Sequence, residues 1–399
     1  MFGTMSTSDA PQKIQNLLGN LTARIDQLKE GKEILLANAV MLGEIPAPTF
    51  GEEERIQFLA NRFTEEGLQN ISIDEAGNAM GILPGRKGEH TLLVLAHADT
   101  PFDAACDHAM SVTENRIIGP GIADNSLGLA AMASLPPILA KAGLQLDDDL
   151  LLLGVSKSLG QGDLEGLRFF LDNQPRPLRA ALCLEGERLG RLSYNSLGTL
   201  RGAIRLELPE GYDLSDFGAL GAVGHLSEIA QRIQSIPIPR VPRTTIILGS
   251  LRTGATFNRV ARTGVLRFEA TSEDNAQVES IRHAIAEIVD EVHTSTGAEV
   301  QLEVVARRNP GGLSYSHPLV KILRCILETL GATTKAHPSS GDLSALADHG
   351  IPAATLGLTK AENLQEPDEA VHIEPAYAGL AQVLALLEAI DQGLCDEQD

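Results

Sequence analysis

Three short apolar runs, each ending in polar residues, constrain this fold more than any other feature: TLLVLAHADT (91–100), DLLLLGVSKS (149–158) and AALCLEGE (180–187). Each has the length of a strand and is apolar on both sides, as expected for strands inside a sheet covered on both faces. Helix-like stretches, SLGLAAMASLPPILAKAG and LEGLRFFLDN, lie between them. Strands alternating with helices in this way place chemistry at the strand ends. His97 and Asp99 stand where the first run stops, and Glu185 where the third stops. Upstream, residues 11 to about 70 read as helical, with Ile14, Leu17, Leu18, Leu21, Ile25 and Leu28 at helical spacing.

From about residue 198 the texture changes. GTLRGAIRLELP alternates like a strand with one wet face, GHLSEIAQRIQSI is an amphipathic helix, and TTIILGSLRTG and GVLRFEATS are strands. A long helix, NAQVESIRHAIAEIVDEVHTSTG, and a last strand, AEVQLEVVAR, complete a βαββαβ order. That order is the pattern of a ferredoxin-like α+β domain. The earlier style resumes in HPLVKILRCILETLG and PAATLGL. A chain of 399 residues exceeds one core. The expected division is therefore 1–197 with 310–399 as one domain, and 198–309 inserted into it.

Charge narrows the partners. With 53 acidic against 32 basic side chains the formal net charge is -21, so nucleic acid and anionic membranes are not expected as partners. No run of about 18 apolar residues suggests a membrane span, and MFGTMSTSDAPQ does not read as a secretory leader. Cys106, Cys183, Cys325 and Cys395 are scattered without a paired framework, which reads as reduced thiols and a cytoplasmic location. The acidic run Asp147–Asp149 and the DEQD tail read as solvated faces.

Two segments carry possible chemistry: HADT (97–100) and GPGIADNSLGLAAM (119–132). His97, Asp124 after a Gly-rich turn, and Glu185 can converge on a metal ion, with an open position left over. Asp99, two residues beyond His97, can hold the other ring nitrogen. The plainer alternative is that Asp124 caps the helix that follows it.

The order of these segments around an inserted ferredoxin-like domain resembles the M20 family of zinc peptidases and deacylases, from about residue 35 to 390. The resemblance implies an α/β/α sandwich with a mixed sheet, His97 and Asp124 as zinc ligands supported by Asp99, and Glu185 as a further carboxylate ligand. GDLEGLRFFLDN resembles the stretch after the family's catalytic Glu–Glu pair, and GATFNRVA its substrate-contacting loop at Asn258. SSGDLSALADHGIPAATLG, with Asp342, and the PDEAVHIE run resemble its closing segments. A homodimer formed through the inserted domain is also implied.

Several positions depart from that pattern. The Glu–Glu pair falls on Ser158 and Leu159, or on Lys157 and Ser158, and no acid lies between Asp149 and Asp163. Gln365 stands where the family's last His ligand belongs, Tyr212 where a transition-state His belongs, and Thr271 where an Arg would grip a substrate carboxylate. The ligands of one ion are thus present and the private ligands of the second are absent, which implies at most one zinc. Lys157 is a candidate replacement base, with an exposed strand-end lysine as the plain reading. His372 and Glu366 are candidate replacement ligands, with surface residues as the plain reading. Two readings follow: a metal-dependent hydrolase of peptide or N-acyl amide bonds, or a non-catalytic relative binding a small molecule or partner.

Overall fold

The computed structural model describes residues 10–210, 220–257 and 259–397. The chain divides into two compact units, one formed by residues up to 195 together with those from 312 onward, the other by 196–311. The first unit opens with helices α1 (Ala10–Gly19), α2 (Leu21–Glu30), α3 (Lys32–Gly43) and α4 (Glu53–Glu65). Strands β1 (Gln69–Ile73), β2 (Ala79–Leu83) and β3 (Thr91–His97) follow, then α5 (Leu127–Ala133), α6 (Leu135–Lys141), β4 (Asp149–Val155), α7 (Glu165–Asn173), β5 (Leu178–Glu185) and β6 (Arg191–Leu192). The second unit holds β7 (Gly198–Glu207), α8 (Ala222–Gln234), β8 (Thr244–Thr253), β9 (Thr263–Ser272), α9 (Asn275–Thr296) and β10 (Glu299–Arg308). The chain then returns through α10 (Pro318–Thr329), β11 (Lys335–Ala336), α11 (Leu343–Asp348), β12 (Ala353–Gly357) and α12 (Ile373–Asp391).

The main sheet runs β1-β2-β4-β3-β5-β12. β3, β4, β5 and β12 are parallel, while β2 runs antiparallel to β4 and pairs antiparallel with β1, so the sheet is mixed. Every residue of β3 is buried. Its side chains alternate between two cores. Leu92, Val94 and Ala96 meet Leu182 and Leu184 on one face. Leu93 and Leu95 meet Ala181 and Cys183 on the other, under Leu167 and Phe170 of α7 and Leu346 of α11. His97 and Glu185 continue this second row to the strand ends. Truncating a side chain in such a row, as in Leu95→Ala, is expected to cost about 2–5 kcal/mol.

The helical expectation for residues 11 to about 70 overruns at its end. QNISI (69–73) is an edge strand, mostly exposed, and too polar to carry an apolar period. Asp147–Asp149 also departs from expectation. Asp148 is buried and accepts from Arg179 Nη1 at 2.6 Å, and Asp149 accepts from the Gly85 N–H at 3.0 Å. A buried carboxylate persists there because it is paired. α12 is 19 residues long and apolar enough to span a membrane by length and composition, which the run-based expectation missed; most of it is buried. It packs against α2 and α10 in the core of the first unit.

In the second unit the order is β8-β9-β7-β10, all antiparallel. Leu226 and Ile229 of α8 and Ile281 and Ile285 of α9 cover one face of this sheet. Asp274 caps α9 by accepting from the Ala276 N–H, and Gly297 ends it at φ 68°, where a side chain would be strained. The βαββαβ order read from the sequence is the order observed. The four cysteines are free.

Candidate metal centre

His97 is the last residue of β3, and its imidazole is set from both sides. Nδ1 lies 3.0 Å from the Asp99 carbonyl oxygen and 3.3 Å from Asp99 Oδ1. With Nδ1 so engaged, Nε2 is turned to the carboxylates: 3.2 Å from Asp124 Oδ1 and 4.0 Å from Glu185 Oε2. One ligand atom from each of the three residues lies within 4.8 Å of the other two. Asp99 is fully buried, and its Oδ2 accepts from Thr49 Oγ1 at 2.9 Å and from the Leu159 N–H at 2.7 Å. Asp124 is not the cap residue: α5 begins only at Leu127, with Ser126 at its N-cap position.

Three residues that the sequence reading did not single out hold this cluster in shape. Asn125 donates from Nδ2 to the Leu184 carbonyl at 2.7 Å and accepts from the Gly186 N–H at 2.9 Å, so the amide next to Asp124 clamps both flanks of Glu185. Glu369 accepts from the Ala123 N–H at 3.1 Å and from the Gln365 N–H at 3.4 Å. Arg55 of α4 is fully buried. It donates to the Ile45 carbonyl, to the Ala98 carbonyl at 3.0 Å and to Ser126 Oγ at 3.3 Å. It thereby braces the turn between His97 and Asp99 against the turn after Asp124. An arginine in an amphipathic helix reads as a surface residue, so nothing in the sequence marks it. Asn125, beside Asp124, and Glu369, in the PDEAVHIE run, did lie inside the quoted motifs.

Electrostatics fit a cation. Burial alone would depress the basicity of His97, but hydrogen bonds to Asp124 and Asp99 raise it well above the ordinary histidine value. Burial pushes Glu185 up to about 7, against the pull of His97 and Arg191. Burial likewise pushes Glu369 to about 7, with Asp124 adding to the rise. Asp99 is pulled below the ordinary range: burial opposes this, and His97, Leu159 and Thr49 outweigh it. Carboxylates crowded around one imidazole are costly without a compensating positive charge. The donor set, one imidazole and two carboxylates, suits zinc. The spacings of 3.2 and 4.0 Å bracket the roughly 3.3 Å edge of a tetrahedron with bonds of about 2 Å. His97, Asp124 and Glu185 are therefore the residues that would hold the ion.

The remaining candidates lie elsewhere. Lys157 does not present a free amine: its Nζ donates to Glu165 at 2.7 Å, and its backbone N–H donates to the buried Glu52 at 2.8 Å. Ser158 is buried with Oγ 3.3 Å from Asp342 Oδ1. His372 is 2.8 Å from Glu362, an ordinary paired histidine, and Glu366 is exposed. Thr271 shares a hydrogen bond of 2.7 Å with Thr245 across β9 and β8, a cross-strand pair. Tyr212 and Asn258 lie outside the described residues.

A mixed sheet with His97 and Glu185 at its parallel strand ends, Asp124 beside them and a ferredoxin-like unit inserted is an α/β arrangement of the metallopeptidase type. The family profile of peptidase family M20/M25/M40 matches residues 93–389, and the chain belongs to that family. Among solved structures, the aminopeptidase PepT of Bacillus cereus is 19% identical at a TM-score of 0.69, with 90% of this chain and 98% of that one covered. The dipeptidase Dug1p of Saccharomyces cerevisiae is 11% identical at a TM-score of 0.75, covering 94% and 98%. The YXEP protein of Bacillus subtilis, described as a dinuclear metal-binding peptidase of the M20 family, is 12% identical at 0.60, covering 91% and 99%. No curated protein sequence matches.

Proposed function

We propose that this protein is a metal-dependent amide hydrolase that works with a single zinc ion held by His97, Asp124 and Glu185. The observation carrying this reading is the convergence of those three ligand atoms within 4.8 Å; the absence of any acid between Asp149 and Asp163, and Gln365, where the resemblance places a second ion's own ligands, support it. A divalent cation bound there would polarise an amide carbonyl. Asp99 would hold the imidazole in one tautomer, and Arg55, Asn125 and Glu369 would keep the ligands at fixed spacing. The substrate class is a peptide or N-acyl amino acid.

A second reading is supported by a specific observation. Lys157 is spent on Glu165 and Ser158 faces Asp342, so the positions of the paired glutamates offer no carboxylate base. Without that base, turnover by the family route would be about 10²–10⁴-fold slower, and the protein would be a binding relative that keeps the fold. The test is hydrolysis of a panel of dipeptides and N-acetyl amino acids by the zinc-loaded protein beside His97→Ala. Turnover lost in His97→Ala supports the hydrolase; no turnover above His97→Ala supports the binding protein.

We also propose a homodimer through the inserted unit, where the edge strand β8 exposes Ile247 (57%) and Leu251 (40%). Sedimentation of the intact protein at twice the monomer mass, reduced to monomer by Ile247→Lys, is the expected result; a monomeric wild type would contradict it.

A further inference from the structure

The turn between α3 and α4 holds a bulky residue in a backbone conformation that its side chain disfavours. The Gly51 N–H donates to the Pro48 carbonyl at 2.7 Å, closing a tight turn. The third residue of that turn, Phe50, has φ 74°. Turns of this shape give the third position to Gly or Asn, because a Cβ there crowds the following carbonyl. The glycine of this chain comes one place later, at Gly51. Burial does little to offset the strain, since Phe50 is 51% exposed.

Two buried carboxylates impose this conformation. Glu52 accepts from the Lys157 N–H at 2.8 Å and also engages the Phe50 N–H. Asp99 gathers Thr49 Oγ1 at 2.9 Å and the Leu159 N–H at 2.7 Å on a single oxygen, Oδ2. The Phe50 turn and the loop from Lys157 to Leu159 are thereby tied side by side. Asp99, which ties them, lies 3.3 Å from His97 Nδ1. Leu159 is partly exposed, like Phe50, and the cluster itself meets solvent, with 29% of the Asp124 side chain and 19% of the Glu185 side chain exposed. Strained backbone persists where its surroundings over-determine it, and it gathers where a ligand is gripped. An aromatic ring fixed in that way, half in water, next to the residues that would hold the ion, is apolar surface waiting to be covered.

We infer that Phe50, with Leu159, is the contact surface for a bulky apolar group flanking the substrate's amide, and that it sets a preference for such substrates over small ones. An aromatic or branched aliphatic group covers a half-exposed ring best, because it removes apolar surface on both partners from water and adds ring-to-ring contact. The loop at Leu159 suits that role, since no acid lies between Asp149 and Asp163. Phe50 and Leu159 are specificity residues: both reach His97 only through Asp99. The inference rests on the amide-hydrolase reading for the identity of the ligand, and binding measurements separate the two.

Calorimetric titration into the full-length zinc-loaded protein tests it with two pairs of probes. N-acetyl-L-alanine against N-acetyl-L-phenylalanine places a ring on the amine side of the amide, and N-acetylglycine against N-benzoylglycine places one on the acyl side. In one pair or both, the larger probe should bind about tenfold or more tightly. Phe50→Gly, which suits the backbone of the turn, should cut that ratio to about threefold or less. Phe50→Leu, which keeps apolar surface, should retain most of it. Zinc affinity, read by competition with a chromogenic chelator, should be unchanged in both variants. Equal or undetectable binding within both pairs by wild type, or an undiminished ratio in Phe50→Gly, would overturn the inference. A ratio lost together with zinc affinity would also overturn it, because the turn would then act through Asp99. If Phe50→Gly does not fold, Phe50→Asn, which also tolerates positive φ, is judged by the same criteria. A clear ratio in a protein without turnover would remove the hydrolase reading and leave the contact surface standing; turnover without a ratio would do the reverse.

Discussion

The backbone N–H of Leu159 donates to Oδ2 of Asp99 across 2.7 Å. The loop where the family's paired carboxylates belong is thus tied to the carboxylate that orients His97. That loop is also held at its start, where Glu52 accepts from the Lys157 N–H; on the proposed one-ion reading it is the acidic side chains that it lacks.

Restoring those side chains should therefore restore an ion. On the proposed one-ion reading the paired carboxylates fall on Lys157 and Ser158 or on Ser158 and Leu159, and Gln365 takes the place of the last His. Gln365→His combined with Ser158→Glu, or with Leu159→Glu in the other register, should raise bound zinc from one equivalent to two, read by elemental analysis after dialysis. Binding of one equivalent would show that the second site is closed by more than two side chains, the contact of Ser158 with Asp342 included.

Arg55 should matter to the ion without touching it. Its guanidinium bonds the Ala98 carbonyl and Ser126 Oγ, and burial brings its pKa down to about 10 while Asp99 and Glu52 hold it up. Arg55→Met leaves those acceptors and Asp99 uncompensated. The expected cost is about 3–5 kcal/mol of stability and about 10–100-fold in zinc affinity. Competition with a chromogenic chelator reads the affinity, and denaturant unfolding reads the stability. A variant that loses stability but binds zinc as tightly as wild type would reduce Arg55 to a packing residue.

Zinc and protons should compete at this cluster. Glu185 and Glu369 hold their protons up to about 7 in the fold, above the ordinary carboxylate range of about 4.3. Between those values the folded chain binds more protons than the unfolded chain, so their contribution to stability falls as pH rises through that window. His97, raised well above its ordinary value, acts in the same direction: its contribution is full below about 6.5 and is lost as pH climbs through the raised value. An ion that displaces protons from Glu185 and His97 relieves both effects, and more so at high pH. Saturating zinc should therefore raise the melting temperature by about 3–6 °C more at pH 8 than at pH 5.5. An equal shift at both values would mean that neither group gives up a proton to the ion.

The readable parts of the fold were those with a strong apolar period. β3, β4 and β5 announce themselves because both faces are buried, and α8 and α9 because one face is. β1 was not picked out, and the helical reading ran to about residue 70, because QNISI has little apolar content on either face. Asp148 was read as solvated because its partner, Arg179, is distant in sequence. In the candidate site, His97 and Glu185 were legible as polar residues at the ends of apolar runs, and Asp124 as the carboxylate after a Gly-rich turn. Arg55 was not, since an arginine's burial is fixed by elements far along the chain. The role of Asn125 depends on two backbone groups of another strand, which no local pattern reveals.

The account stands on one ion at one half of a two-ion site. Elemental analysis of the intact protein, reconstituted with zinc and dialysed, tests that directly. The prediction is one equivalent per chain in the wild type and none in His97→Ala. Two equivalents in the wild type, or none, would contradict it.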